Sequence, residues 1–247
     1  MQRWQCQDCT RAFSVTVGTI FHGTHIPLQQ WFLVMALMVN AKKSASSYQI
    51  ARDLGMRRPT VWSMMHRIRV AMAEDQEQAP LLFGIVEADE VYIGGKPRKS
   101  NRRDDNKPSK RGRGTSKAPV LGAIERGGRV VARAVANTSG TTIANFIRTT
   151  VDRAGTLLLT DEYRSYAKIG HTMNWATVNH QREYAVGLAH TNTIEGFWAL
   201  VKRAWYGSHH HYRVAFMPLY IAESCYKYNH RKNTGVFNSL LATMVRA

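Results

Sequence analysis

Three acidic residues stand where a carboxylate is costly to keep. Asp89 lies inside the apolar run IVEADEVYI, Asp161 ends the run LLLTD, and Glu195 precedes Phe197 and Trp198 in NTIEGFWALVKR. A charge among hydrophobic residues costs free energy unless something needs it. Three carboxylates brought to one point repel one another, and a divalent cation is the simplest reason to gather them. Mg²⁺ (or Mn²⁺) suits oxygen ligands, and two ions about 4 Å apart clamp the attacking and leaving oxygens of a phosphodiester. Lys202 follows Glu195 by seven residues, two turns along the same helix face, where it can hold a phosphate. Asn192, one turn before Glu195, faces the same way. Each acid also has an ordinary reading. Asp161 can cap a turn, Glu195 can sit on a solvated helix face, and Glu87 and Glu90, alternating away from Asp89, suit surface roles.

The elements that must position these groups follow from periodicity. Residues 1–27 mix Cys, Gly and His and read as a small irregular or β module. From Leu28 to Lys43 the spacing is helical, with Pro27 ahead of the first turn. Ser46 or Ser47 can cap a second helix through Leu54, ended by Gly55, and Pro59 opens a third to about Glu74. Residues 28–75 therefore read as a helix-turn-helix module, with Arg57, Arg58, Arg67 and Arg69 on its recognition helix, or as an ordinary three-helix bundle with a basic face. After the polar linker at 75–80 the period becomes that of strands. Strands are expected around 82–95, 119–124 and 129–136, then a helix at 141–154 and a buried strand at 156–160 ending at Asp161. Irregular sequence runs to about 190, helices follow at 193–205 and 214–229, and 236–247 reads as a tail. Three strands, a helix, a strand and then helices predict a mixed α/β sheet with helices on its faces, spanning 81–235.

Charge narrows the partner. The chain has 247 residues and a net charge of +17. The segment 96–117 alone carries ten Lys or Arg against two Asp, so it supplies +8 of that total. With no apolar residue to bury, it reads as a mobile loop, and Arg98, Lys99, Arg102, Arg103, Lys110, Arg111 and Arg113 become candidate phosphate contacts. Nucleic acid is the first partner for such a charge. The longest apolar run, Trp31 to Val39, is nine residues, against roughly 20 for a membrane-spanning helix. No apolar leader is visible at the N-terminus, and three cysteines cannot form a disulfide framework, so a cytoplasmic protein is expected. Near the end, Arg203, Trp205, Tyr206 and the run His209 to Arg213 interleave cations with aromatics. Phosphate contact, base stacking by Trp205 and Tyr206, and a packed helix end all fit.

The segments VEADEVYIGGK, LLTDEYRSY and HTNTIEGFWALVKR resemble the catalytic blocks of bacterial insertion-sequence DDE transposases of the Merlin-related group. CQDCTRAFSVTVGTIFHGTHIPLQQWF, SYQIARDLGMRRPTVWSMMHRIR and YKYNHRKN resemble the same family, so the likeness spans nearly the whole chain. It implies an RNase H-like (retroviral-integrase-like) catalytic domain, a metal-binding triad at Asp89, Asp161 and Glu195, and Lys202 in the position that often follows the glutamate. The triad spacings are 72 and 34 residues. Relatives usually open with a zinc ribbon of two Cys-x-x-Cys pairs, whereas this chain shows only Cys6 and Cys9. Three completions are open: a second pair upstream, His22 and His25 as substitute Zn²⁺ ligands, or two reduced cysteines without metal.

The resemblance implies a transposase that cuts double-stranded DNA at the terminal inverted repeats of its element. It would then join the ends to target DNA, acting as a homodimer or higher oligomer. A decayed transposase-derived DNA-binding protein and a nuclease of the same fold are the alternatives.

Overall fold

The computed structural model describes residues 3–95, 115, 117–178 and 190–245. Most of the basic segment 96–117 lies outside them, including Arg98, Lys99, Arg102, Arg103, Lys110, Arg111 and Arg113. At the N-terminus, β1 (Trp4–Gln5) and β2 (Ala12–Phe13) form a two-stranded antiparallel ribbon, with Cys6 and Cys9 in the turn between them.

Three helices follow: α1 (Leu28–Asn40), α2 (Ser47–Asp53) and α3 (Arg58–Glu77). The Ser46 hydroxyl caps α2 by accepting from Gln49 N at 3.1 Å. Gly55 takes φ +62° in the turn before α3, a conformation in which a Cβ is strained. The apolar stripe of α3, Val61, Met64, Met65, Ile68 and Met72, is buried against Trp31, Val34, Met35 and Met38 of α1.

The rest of the fold is built on one five-stranded mixed sheet. Its strands are β3 (Ile85–Ile93), β4 (Ala118–Glu125), β5 (Val130–Ala134), β6 (Leu157–Asp161) and β7 (Asn174–Val178), in the spatial order β5-β4-β3-β6-β7. The first three are antiparallel, and β6 and β7 run parallel to β3. Helix α4 (Gly140–Thr150) makes the crossover from β5 to β6 and buries Ile143, Phe146 and Ile147 on one face of the sheet. Helices α5 (Asn192–Arg203) and α6 (Met217–Asn229) cover the other face with Ile194, Phe197, Trp198, Met217 and Ile221. Three antiparallel strands flanked by a parallel pair, with helices on both faces, is the RNase H-like arrangement that the resemblance implies.

Two stretches differ from the sequence expectation. The irregular stretch after Asp161 contains a short 3₁₀ helix at Arg164–Lys168 and the edge strand β7. The expected tail contains α7 (Val236–Met244), whose Leu240 and Met244 are buried in the cluster formed by α1 and α3. The chain thus returns to its N-terminal helices, and Ile20 N donates to Met244 O at 3.2 Å.

Gly122 of β4 sits opposite Asp89 of β3. A Cβ there would stand 2.5 Å from the buried Trp198 indole, so α5 approaches the sheet only because the position is glycine. Gly122→Ala forces the indole outward. We expect a loss of about 1–3 kcal/mol in urea unfolding, as for other overpacked interiors.

Candidate active site

Strand β3 is the central strand, and its two faces carry different chemistry. Glu87, Asp89, Val91 and Ile93 alternate toward α5 and α6, while Val86 and Ala88 turn toward α4. Strand β6 runs parallel beside it with Glu87 opposite Leu159, so the same register carries Asp161 to the side of Asp89. Oxygens of Asp89, Glu90 and Asp161 lie within 4.8 Å of one another, the one such group of three or more acidic, His or Cys ligands among the described residues. One Asp161 oxygen also accepts from Tyr163 N at 3.1 Å, so this residue caps its turn as well as facing Asp89.

Electrostatics mark the spot. Burial, followed by the Glu90 charge and a smaller contribution from Asp161, pushes the Asp89 carboxyl up to about 7. The Trp198 indole N–H donates to Asp89 Oδ2 at 3.1 Å and opposes that rise. Burial and the same acids also hold the Tyr166 phenol well above its ordinary range, and its hydroxyl faces Glu90 Oε2 at 3.5 Å. Oxygen donors gathered at this separation, one of them reluctant to lose its proton, fit a hard divalent cation.

Glu195 lies in the first turn of α5 on its exposed side and does not join the 4.8 Å group. Its helix is nevertheless fixed to the strand that bears Asp89. Trp198, three residues on, bonds Asp89, and the amides of Thr193 and Ile194 bond Glu87. Lys202 is exposed in the last turn of α5, and Asn192 is exposed at its start.

Several residues depart from the sequence expectation. Glu87, two residues before Asp89, shares its strand face rather than alternating away and is fully buried rather than superficial, and Glu90 shares the acidic cluster instead of facing away. Alternation places Glu90 on the opposite face, but β6 ends at Asp161, and the longer side chain reaches the cluster there. Arg69 is not on a DNA-facing surface. It is 1% exposed, and its Nε bonds Glu223 Oε2 at 2.7 Å under the Tyr220 ring. Trp205 packs into the core beneath α5, whereas Tyr206 is exposed. Arg57, Arg58 and Arg203 are exposed. Arg58 lies over the Tyr48 ring, and Arg67 is half-buried with a bond to His22 O at 3.0 Å.

Cys6 and Cys9 share the β1–β2 turn. The backbone N–H of Cys9, then that of Asp8, lowers the Cys6 thiol, the environment in which a thiolate is favoured. Among the described residues, neither His22 nor His25 joins Cys6 and Cys9 in a group of three ligand atoms within 4.8 Å of one another. Cys225 is buried in the core, and burial pushes its thiol up to about 12. No described helix is long and apolar enough to cross a membrane.

The profile of the ISXO2-like transposase domain matches residues 81–229, from just before β3 to the end of α6. An uncharacterised protein in transposable element ISH50 of Halobacterium salinarum is 30% identical over 219 residues, covering 84% of this chain and 72% of that protein. Among solved structures, the Mos1 strand transfer complex is similar at 12% identity and a TM-score of 0.31, over 92% of this chain and 81% of that one. The mariner Mos1 paired end complex with Mg is similar at 14% identity and a TM-score of 0.31, over 90% and 81%.

Proposed function

This chain belongs to the ISXO2-like transposase family, and on that footing we propose that it cuts and joins DNA at the ends of an insertion sequence. The observation that carries the reading is the convergence of Asp89 and Glu90, midway along β3, with Asp161 at the end of the parallel strand β6, and the helix of Glu195 fastened above them. Asp89, Asp161 and Glu195 would hold divalent metal. Mg²⁺ or Mn²⁺ bound there supplies charge stabilisation to an in-line displacement at phosphorus.

In the first step, water oxygen attacks the phosphorus at the element end and the 3′ oxygen leaves, giving a 3′-hydroxyl and a 5′-phosphate. In the second, that 3′-hydroxyl oxygen attacks a phosphorus of target DNA and expels the target's own 3′ oxygen. In each step one P–O bond breaks as one forms, the first consuming water and the second exchanging one phosphodiester for another, and no residue of the chain becomes covalently attached. Lys202 would steady a phosphate beside the acids. Arg57, Arg58, Arg67 and Arg203, with the cations of 96–117, would hold the duplex at element ends and target, and two copies would bring both ends together. Arg69 has no part in this contact. Cys6 and Cys9 would supply half of a zinc ligand set.

The test is a strand-transfer assay. A duplex carrying the element's terminal inverted repeats, a supercoiled plasmid and Mg²⁺ should yield joined product with the wild type and none with Asp161→Asn. End binding by the variant should match the wild type in gel shift. Cutting without joining would reduce the reading to a nuclease, and binding without cutting to a DNA-binding protein.

A further inference from the structure

Glu87 accepts four hydrogen bonds, and the chemistry proposed above leaves it without a part. It is fully buried on the central strand, two residues before Asp89 and on the same face. Its Oε2 accepts from the amides of Thr193 at 2.9 Å and Ile194 at 3.0 Å, the free N–H groups of the first turn of α5. Its Oε1 accepts from the Thr193 hydroxyl at 2.9 Å and from Arg126 Nε at 2.7 Å. Arg126 in turn donates to His190 O at 2.7 Å, just before the helix, and His190 Nδ1 lies 3.4 Å from Glu87 Oε1.

This cap comes from outside the helix. The residue at the N-cap position, Thr191, gives α5 no side-chain cap. A strand carboxylate instead fills that role and places a negative charge at the positive end of the helix dipole. The next residue after the two captured amides is Glu195. One turn further, Trp198 bonds Asp89. Strand β3 therefore grips α5 at two points, and the first fixes where the Glu195 backbone stands relative to Asp89.

We propose that Glu87 is a positioning residue for the metal site: it touches neither metal nor DNA, but sets the height and rotation of α5 so that Glu195 is carried to Asp89 and Asp161. The inference rests on the transposase reading, in which Glu195 completes the metal ligands. A neutral amide cannot replace the carboxylate, because its NH₂ would face donors only. Arg126 would also be left beside a neutral group.

The test uses Mn²⁺ alone, titrated by calorimetry into the whole chain without DNA, for the wild type, Glu87→Gln, Thr193→Val and Asp89→Asn. Hydrogen exchange at the amides of Thr193 and Ile194 is followed in parallel. Glu87→Gln should weaken Mn²⁺ binding about ten-fold and expose those two amides to exchange. Thr193→Val, which loses only one of the bonds, should shift both readouts the same way by two- to three-fold, and remains informative if Glu87→Gln does not fold. A purely structural role would lower the melting temperature while Mn²⁺ affinity of the folded fraction stayed at the wild-type value, and that result would overturn the proposal. If Asp89→Asn also bound Mn²⁺ like the wild type, the metal-site reading itself would fall. Loss in Asp89→Asn but in neither Glu87→Gln nor Thr193→Val would overturn the positioning role alone.

Discussion

Glu223→Gln is expected to destabilise the protein by about 3–5 kcal/mol, because it breaks a buried ion-pair network. Glu223 is 1% exposed on α6 and is held by Arg69 Nε at 2.7 Å, Lys227 Nζ at 2.6 Å and the Ser44 hydroxyl. Lys227 also donates to Ala41 O at 3.0 Å, so the network ties α6 to the end of α1 and to α3. Burial works against the Glu223 charge, yet Lys227, followed by Arg69, outweighs it and holds the carboxyl well below the usual range. Glutamine keeps the shape and strands two buried cations. For a chain of this size each kcal/mol moves the melting temperature by roughly 2–4 °C, so calorimetry should record a drop of about 10 °C. Because the folded-state value is depressed, this stabilisation is complete above about pH 4.5 and is lost as acid drives the pH toward the folded value. The wild type should therefore lose stability below pH 4.5 through this group, and the glutamine variant should lack that component. Replacing Glu223, Arg69 and Lys227 together by apolar residues should recover much of the loss.

Asp89→Asn should have the largest effect on activity and an opposite effect on stability. Removing a metal ligand from a phosphoryl-transfer site costs several kcal/mol of transition-state stabilisation, so cutting should fall by about a thousand-fold or more. The metal-free protein should nevertheless become more stable in mild alkali. The Asp89 carboxyl is raised from 3.8 to about 7, so its contribution is fully present below pH 3.8 and is lost as the pH rises through 7. Asparagine has nothing to titrate. Chemical denaturation with chelator present should show a wild-type loss between pH 4 and 7 that the variant lacks, so that the difference between the two grows over that window and leaves the variant ahead at pH 8. Mg²⁺ should restore the wild type at pH 8 and leave the variant unchanged.

Much of this site was legible in the residues themselves. Asp89 and Asp161 stood out because each interrupts or ends an apolar run, and the fold brings them together as that reading requires. Helices α1 to α6 were visible through helical spacing and through signals such as Ser46 and Gly55. The acids flanking Asp89 were harder to read. Alternation puts Glu87 on the same face as Asp89 but does not say which helix covers that face, nor that Glu90 can reach round past the end of β6. Glu87 looked like a surface residue until its partners from α5, 106 and 107 positions away, came into view. Arg69 fitted the basic face of a recognition helix, and only the fold reveals Glu223 opposite it, 154 residues on. The tail helix α7 lacked a side-chain cap and a charged boundary, and packing on α1 and α3 stabilises it where local propensity would not.

The central claim is that Asp89, Asp161 and Glu195 share divalent metal. Crystals of the protein soaked in Mn²⁺ and measured for anomalous scattering test it most directly. The account predicts an anomalous peak bonded to Asp89 and Asp161, with the Glu195 carboxylate drawn to it. A peak held by other residues, or a Glu195 still turned to solvent with the ion bound, would contradict it.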